Sequence, residues 1–155
     1  SVLLQNKNQT LPIVTSIPCL AVIGGLADDK NNQIGTNAGD ANPEDSITFL
    51  TSITGTLTKT KIIYAKGYKD VQSTDKSLFS EAIAAAKQAD KIIIFLGEQL
   101  NEWIIFSRAL INLPGVQEDL VREIAKIGKP IAAVIFAGRP LLIEPILPLV
   151  DSVLY

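Results

Sequence analysis

Short apolar runs alternate along this chain with longer segments in which apolar residues recur at helical spacing. Four runs have the length and the β-branched content typical of strands buried in a sheet, at residues 20–23, 61–65, 92–96 and 131–136. A further apolar run begins at Ser152 and predicts a last strand over 152–155.

The segments between these runs predict helices. One starts at Asn42-Pro43, with Asn as the N-cap, Pro at the first helical position and acids in the first turn, and extends to Gly55. The second spans 75–90, and the third opens at Pro114 and closes at Gly128. Because strands and helices alternate with short connections, the pattern predicts a doubly wound α/β fold. We expect residues 1–155 to form one domain, a three-layer sandwich with a mostly parallel sheet and helices on both faces.

The composition is that of a globular domain and excludes several classes of function. Of the 155 residues, 47% are hydrophobic and 19% charged. The formal net charge of -2 leaves no basic excess to neutralise a nucleic-acid backbone. The chain has no His and only one Cys, Cys19, which excludes imidazole catalysis, an internal disulfide and a CxxC zinc site. We therefore expect no metal, no cofactor and no nucleic-acid partner.

No segment predicts a membrane span. Apolar runs such as 131–137 are far shorter than the roughly 20 residues that cross a bilayer. We expect no membrane partner, and the residues leave the cellular compartment open.

Ligands of doubly wound sheets bind at the carboxyl ends of the strands, so the loops that follow the strands are the places to look for chemistry. Gly24-Gly25 opens the first of these loops but lacks the rest of a GxGxxG fingerprint, which favours a tight turn over a nucleotide site. The acid pairs Asp28-Asp29 and Glu44-Asp45 could ligate a metal. A solvated loop and a helix N-terminus explain them with fewer assumptions.

Glu98 is the most informative residue in these loops. It follows a buried strand directly, so its carboxylate is expected at the carboxyl edge of the sheet. There it could act as a general acid or accept a hydrogen bond from a sugar hydroxyl. Arg108 could hold Glu98 ionised or bind a substrate anion or hydroxyl. A Glu98–Arg108 pair that only ties the loop down is an equally good interpretation, and the residues leave this choice open.

Eight segments, in order, resemble the second, α/β-sandwich domain of family 3 glycoside hydrolases, the β-glucosidase family. They are SVLLQN (1–6) with LP (11–12), AVIG (21–24) with LAD (26–28), GD (39–40) with PED (43–45), YAKG (64–67), LGE (96–98), LPGVQEDL (113–120), GKP (128–130) and GRP (138–140). Each segment alone is weak, but together they cover nearly the whole chain.

The resemblance implies hydrolysis of β-linked sugars with retention. In this family an Asp on a separate (β/α)8 barrel is the nucleophile, and a Glu in a loop of this domain is the general acid/base. Retention places the two carboxyl groups roughly 5–5.5 Å apart, so neither domain works alone. We therefore expect the chain to be inactive by itself and to act on a β-linked glucoside or oligosaccharide when joined to a barrel. Met is absent, and the chain stops at Tyr155, before the segments that normally complete this domain in the family, so we expect a piece of a longer protein.

The sequence departs from the family pattern just before Arg108. Counting back from Ser107-Arg108, the family's acid/base Glu falls at Ile104, and the family's Asp after the Arg falls at Leu110. An apolar side chain cannot transfer the glycosidic proton. Glu102 is then the candidate acid/base if the loop has shifted, and Glu98 is the other candidate.

The same stretch is unusually apolar, with Trp103, Ile104, Ile105, Phe106 and Leu110 close together. A loop helix packed on the core explains only part of this cluster, because Ile104 and Ile105 would face away from the other three. Exposed apolar patches with aromatic anchors mark interfaces. The alternative to a hydrolase domain is therefore a catalytically silent or engineered scaffold that forms a homo-oligomer through this patch.

Overall fold

The computed structural model describes residues 1–34, 39–99 and 108–155. The strands are β1 (Leu3–Asn6), β2 (Cys19–Ile23), β3 (Lys61–Ala65), β4 (Lys91–Gly97), β5 (Ile131–Phe136) and β6 (Ser152–Leu154). The α-helices are α1 (Lys30–Ile34), α2 (Phe49–Thr56), α3 (Phe79–Gln88) and α4 (Gln117–Ala125), and short 3₁₀ helices lie at Lys7–Gln9, Gly25–Asp28, Pro43–Asp45 and Glu144–Leu149. Among the helices of the described ranges, none is long and apolar enough to cross a membrane.

The described strands form one sheet in the order β1-β6-β5-β4-β2-β3. Strands β2 to β6 run parallel, and only β1 pairs antiparallel, with β6. The predicted strands are therefore confirmed, including the short last one. Their carboxyl ends meet along one edge of the sheet, where the loops after β2, β3, β4 and β5 lie side by side.

Helices cover both faces of the sheet. The β2–β3 and β3–β4 connections run in opposite directions across the sheet, so right-handed crossovers place α2 and α3 on opposite faces. Helices α3 and α4 contact each other. On the other face, the Phe49 ring of α2 lies 5.5 Å from that of Phe95 and 5.4 Å from that of Phe136. The predicted three-layer α/β sandwich is confirmed.

The central strand β4 forms the middle of the core. Ile92, Ile94 and Leu96 have no exposed surface, and Phe95 is 1% exposed. This is why the segment is apolar without alternation: both of its faces are covered. A central strand that is held on both sides gives a rigid base for the residues that follow it.

The helix predicted to start at Asn42 starts later, at Phe49, so this prediction was wrong. Asn42 does act as a cap, because its side chain accepts a hydrogen bond from the Glu44 N–H at 3.0 Å, but it caps only one 3₁₀ turn. Thr48 then caps α2 by accepting from the Thr51 N–H at 3.1 Å. Ile47, just before this cap, is 67% exposed. The stretch contains two caps, Asn42 and Thr48, and the sequence pattern pointed only to the first.

The other two helices are also shorter than predicted at their N-termini. Asp75 accepts a hydrogen bond from the Ser77 N–H at 2.7 Å, which holds a turn in front of α3. The Val116 N–H donates to the Ser73 carbonyl at 3.1 Å, so the residues after Pro114 also form a turn before α4. In both places a turn satisfies the backbone groups that the predicted helix would have used.

Strand β1 was not predicted. Leu3 and Leu4 are 51% and 53% exposed, so the strand has no buried face that periodicity could reveal. It forms because Val2 and Tyr155 exchange backbone hydrogen bonds of 2.6 and 2.8 Å. These partners come from opposite ends of the chain, which local sequence patterns do not report.

Candidate functional site

Gly97 and Glu98 end β4 in close contact with β5. Gly97 pairs with Phe136 in the sheet, and the Glu98 N–H donates to the Phe136 carbonyl at 2.8 Å. Gly97 has a φ of +144°, and a Cβ placed on it would lie 1.9 Å from the Phe136 oxygen. Only glycine permits this approach. The close packing fixes where the Glu98 side chain leaves the sheet.

Gln117, the first residue of α4, holds the backbone of Gly97 from the other side. Its side chain is fully buried. The Gly97 N–H donates to Gln117 Oε1 at 2.8 Å, and Gln117 Nε2 donates to the carbonyls of Gly97 at 2.8 Å and Val71 at 3.1 Å. One amide therefore ties the end of β4 to the loop after β3.

The Glu98 carboxylate is buried between two arginines. Its side chain is 2% exposed. Arg108 Nη2 and Arg139 Nη2 each donate to Glu98 Oε1 at 2.8 Å, and Arg139 Nε donates to Oε2 at 3.2 Å. Arg139 therefore binds the carboxylate in a bidentate manner, which gives arginine–carboxylate pairs their geometric specificity. The Glu98–Arg108 pair considered from the sequence is present.

Further hydrogen bonds hold the two arginines in place. Arg139 Nη1 donates to the Arg108 carbonyl at 3.0 Å, and Arg108 Nη2 donates to the Asn112 carbonyl at 2.6 Å. The Tyr155 hydroxyl donates to the Arg139 carbonyl at 2.5 Å and accepts from the Leu141 N–H at 2.9 Å. The network joins the ends of β4, β5 and β6 to the segment that resumes at Arg108.

Burial of Glu98 by itself raises its pKa, but the hydrogen bonds and positive charges of Arg139 and Arg108 outweigh that effect, and the pKa lies below its ordinary value. The carboxylate is therefore ionised in the folded protein at neutral pH. Since the folded pKa is depressed, this group stabilises the fold above the pKa of an unfolded glutamate, about 4.3. That contribution is lost as the pH falls through the folded pKa.

Two clefts open at this edge of the sheet, and Gln99 lines both. The polar cleft has a volume of 660 Å³ and is lined by Asp28, Tyr64, Lys66 and Lys69, among others. The apolar cleft has a volume of 530 Å³, and its lining includes Phe49, Val134, Phe136, Tyr155 and Glu98. Both volumes fall within the range of small-molecule sites, about 300–1,000 Å³.

Comparison with known proteins decides the family. The profile described as "Glycosyl hydrolase family 3 C-terminal domain" matches residues 1–155. The chain belongs to this family. The resemblance found in the sequence motifs is therefore confirmed.

The relatives of this family 3 domain include β-xylosidases and β-glucosidases. The β-xylosidase of Formosa agariphila is 36% identical over 160 residues, which cover 99% of this chain and 22% of that protein. The periplasmic β-glucosidase of Salmonella typhimurium is 33% identical over 161 residues, which cover 90% of this chain and 21% of that protein. The chain thus spans only 22% and 21% of the length of these two relatives.

Solved structures give the same result for the fold of the family 3 domain. A GH3 exo-β-xylosidase in complex with a xylobiose aziridine probe matches with a TM-score of 0.83 and 32% identity, covering 98% of this chain and 19% of that one. The β-glucosidase of Listeria innocua in complex with gluconolactone matches with a TM-score of 0.83 and 25% identity, covering 98% of this chain and 20% of that one.

The structure places Glu98 and Arg108 together, as one interpretation of the sequence suggested. Leu110 is 72% exposed, on the surface of the family 3 domain. The rest of the predicted acid/base and interface residues lie outside the described residues, namely Glu102, Trp103, Ile104, Ile105 and Phe106.

The acidic residues that were considered as metal ligands form local hydrogen bonds and an ion pair. The Thr48 hydroxyl donates to Asp28 at 2.8 Å, the Asn32 backbone N–H donates to Asp29 at 3.0 Å, and Lys30 pairs with Glu44 at 2.7 Å. Within 1–34, 39–99 and 108–155, no three His, Cys, Asp or Glu side chains converge as metal ligands would.

Sequence reasoning missed three residues of the network, Arg139, Gln117 and Tyr155. Arg139 was seen only as part of a family motif, although it follows β5, the neighbour of β4, at the same edge of the sheet. A charged residue after an adjacent parallel strand was therefore a usable signal. Gln117 carried no such signal, because its partners are backbone groups of distant residues.

Proposed function

We propose that this chain is the acid/base-bearing domain of a retaining family 3 β-glycosidase that acts on a β-linked xyloside or glucoside. The observation that carries the proposal is the match of the whole chain to the C-terminal domain of the family. Relatives of the chain are β-xylosidases and β-glucosidases, and they suggest the substrate class. The nucleophile would come from the barrel domain, so the chain alone would be inactive.

Within this proposal, Glu102 is the general acid/base and Glu98 is not. A general acid must hold a proton near the working pH, and its pKa is tuned upward for that purpose. The depressed pKa of Glu98 and its two guanidinium partners suit a permanent anion instead. Glu102 lies between Glu98 and Arg108 in the chain and is the one other carboxylate of that stretch.

A chimaeric enzyme tests this assignment. Replacing the matching segment of the Formosa agariphila β-xylosidase by this chain supplies the remaining parts of the enzyme. We expect the chimaera to hydrolyse aryl β-xylosides or β-glucosides. Glu102→Gln should lower kcat by about 10²- to 10⁴-fold, the usual contribution of a general acid/base. Azide should restore turnover of an activated aryl glycoside and yield the β-glycosyl azide, which is diagnostic of a missing acid/base in a retaining enzyme.

The matched control is Glu123→Gln, which changes a glutamate of α4 that pairs with Lys126 on the surface. It should leave kcat unchanged. A folded chimaera without hydrolysis, or full activity in Glu102→Gln, would contradict the proposal. Turnover of an aryl glycoside by the isolated chain would contradict the expectation that the chain is inactive without the barrel domain.

A second candidate function is self-association through the apolar stretch that ends at Leu110. It is favoured by a row of exposed apolar side chains, because Leu110, Ile111 and Leu142 are 72%, 49% and 47% exposed. Ile111 and Leu142 are joined by a backbone hydrogen bond of 2.7 Å, so they form one surface. Light scattering over a concentration series should then give a discrete dimer that Ile104→Glu dissociates, and a monomer at every concentration would exclude this function.

A further inference from the structure

The polar cleft lies at the point of the sheet where neighbouring connections diverge. Strands β2 and β4 pair side by side, but β2 leads into α2 on one face of the sheet and β4 leads into α4 on the other. The loops that follow these two strands therefore separate and leave a crevice between them. In doubly wound sheets, ligands bind at this topological switch point. Residues of the segments 25–31 and 66–71, together with Gln99, line the cleft, so all three of its strands contribute.

The polar cleft is not built for a phosphate group. A phosphate site would use backbone N–H groups that follow a strand. Here the N–H groups of Gly25 and Leu26 are directed at the Tyr68 hydroxyl, which is buried and donates to the Phe95 carbonyl at 2.9 Å. Four acidic residues and three lysines line the cleft, so its formal charge is negative. These features disfavour an anion and favour a neutral ligand.

Lys66 supplies hydrogen-bond donors to the polar cleft. The other two lysines of the cleft form ion pairs, Lys30 with Glu44 at 2.7 Å and Lys69 with Asp75 at 2.5 Å. Within the described ranges, Lys66 forms neither an ion pair nor a side-chain hydrogen bond. Its aliphatic stem lies against Gly25, because a Cβ placed on that glycine would come within 3.3 Å of the lysine Cε. The ammonium is therefore held at the wall of the cleft with its donors available to a ligand.

Asp28 and Tyr64 complement this lysine. Asp28 Oδ1 accepts a hydrogen bond from the Thr48 hydroxyl at 2.8 Å, which fixes the carboxylate at the wall of the cleft. Burial raises the pKa of the half-buried Tyr64, and the negative charges of Asp28 and Glu81 raise it further, so its hydroxyl is protonated at neutral pH. An ammonium only donates, a carboxylate only accepts and a phenol does both. Sugar hydroxyls need donors and acceptors side by side, and an aromatic ring offers apolar surface to the C–H groups of a sugar ring.

We propose that the polar cleft binds a neutral sugar unit of a β-linked oligosaccharide, with Lys66 and Asp28 hydrogen-bonded to its hydroxyls and Tyr64 in contact with its ring. The inference rests on the proposed function for the kind of sugar. Every residue of this site belongs to the described part of the chain, so binding needs nothing from a barrel domain. The 155-residue chain should therefore bind a sugar even though we expect no hydrolysis from it alone.

Titration of the ¹⁵N-labelled chain with xylobiose and with cellobiose, followed by two-dimensional NMR, tests the proposal. We expect saturable shifts of the backbone amides in the segments 25–31 and 66–71, which line the cleft. Sorbitol, an open-chain polyol, should give no saturable shift at the same concentration. The wild type alone locates the site, so this measurement does not depend on the folding of any variant.

Lys66→Ala and Asp28→Asn should each weaken sugar binding by about tenfold, because each removes a hydrogen bond to a charged group. Asp28→Asn keeps an oxygen that accepts from Thr48, so the wall of the cleft is preserved. Lys59→Ala is the matched control. It removes an exposed lysine just before β3, at the opposite edge of the sheet, and should leave the affinity unchanged.

Three results would overturn the proposal: no saturable shift with either disaccharide, shifts confined to other parts of the chain, or wild-type affinity in both cleft variants. Inorganic phosphate is the probe for the alternative ligand. Tighter binding of phosphate than of the sugars at the same amides would also overturn the proposal and assign an anion site. No hydrolysis is measured, so an inactive chimaera together with sugar binding by the chain would contradict the proposed function and leave the cleft as a sugar site.

Discussion

Gly97→Ala should destabilise the protein by more than about 4 kcal/mol, a loss beyond that of most single substitutions. The new Cβ would lie 1.9 Å from the Phe136 oxygen and 2.7 Å from the Phe136 carbonyl carbon. Both atoms belong to the backbone of β5 and cannot rotate away. The φ of +144° adds strain of about 1–3 kcal/mol for a residue with a side chain. Urea unfolding followed by circular dichroism measures the loss.

Gly128→Ala is the matched control for this prediction. Gly128 also has a positive φ, +74°, but a Cβ there would meet nothing within 4 Å. The loss of stability in Gly128→Ala should therefore be limited to conformational strain, about 1 kcal/mol. Equal losses in the two variants would mean that contact with β5 does not constrain the end of β4.

Gln117→Leu should cost about 3–5 kcal/mol, although leucine has nearly the same volume as glutamine. The substitution leaves the N–H and C=O of Gly97 and the carbonyl of Val71 without their side-chain partner. A buried polar group without a hydrogen bond costs about 1–3 kcal/mol, and partial relaxation reduces the sum of three such losses. Domains of this kind have a free energy of unfolding of about 5–15 kcal/mol, so the variant should be only marginally stable.

Gln88→Leu is the matched control, because it makes the same substitution at a glutamine that is exposed. Gln88 lies in α3 and is exposed, and its side chain donates only to the Ala84 carbonyl of its own helix, at 3.2 Å. Thermal unfolding of this variant should match that of the wild type within about 0.5 kcal/mol. A Gln117→Leu variant as stable as Gln88→Leu would contradict the role of the buried amide.

Gly97 and Gln117 are buried, yet they define the candidate site. Gly97 and Gln117 set the backbone from which Glu98 leaves the sheet, and the arginines then hold its carboxylate. A variant at either position should therefore displace Glu98 as well as lower stability. The site depends on the backbone beneath it as much as on its own charges.

The predicted fold was correct where a local pattern carries the information. β4 and β5 are continuous apolar runs because both of their faces are covered, and that burial is visible in any short window of the sequence. Helix starts were less predictable. The caps at Asn42 and Thr48 are both good local signals, and the helix begins after Thr48, where its first residue, Phe49, packs against Phe95 and Phe136.

Some residues of the candidate site could also be identified from local sequence, and others could not. Glu98 was identified because it directly follows a buried strand, and Arg108 because it lies in the same loop. The position of Arg139 after β5 marks it as a candidate, but its bond to Glu98 is seen only in the structure, since the two residues meet when β4 and β5 pair. The interpretation of Arg108 as a substrate ligand stays a prediction, while the structure places its guanidinium on Glu98 and the Asn112 carbonyl.

By itself, the sequence of this protein determined the five parallel strands, the alternation of strands with helices, the α/β class and the motifs of family 3, because each of these depends on residues that are close together in the chain. The tertiary structure alone decided that β1 exists, that Gln117 supports Gly97, and that Glu98 is shared by two arginines. The physical reason is that these features arise from hydrogen bonds and charges between residues distant in sequence. Such contacts form only after burial of the apolar runs has brought the strand ends to one edge of the sheet.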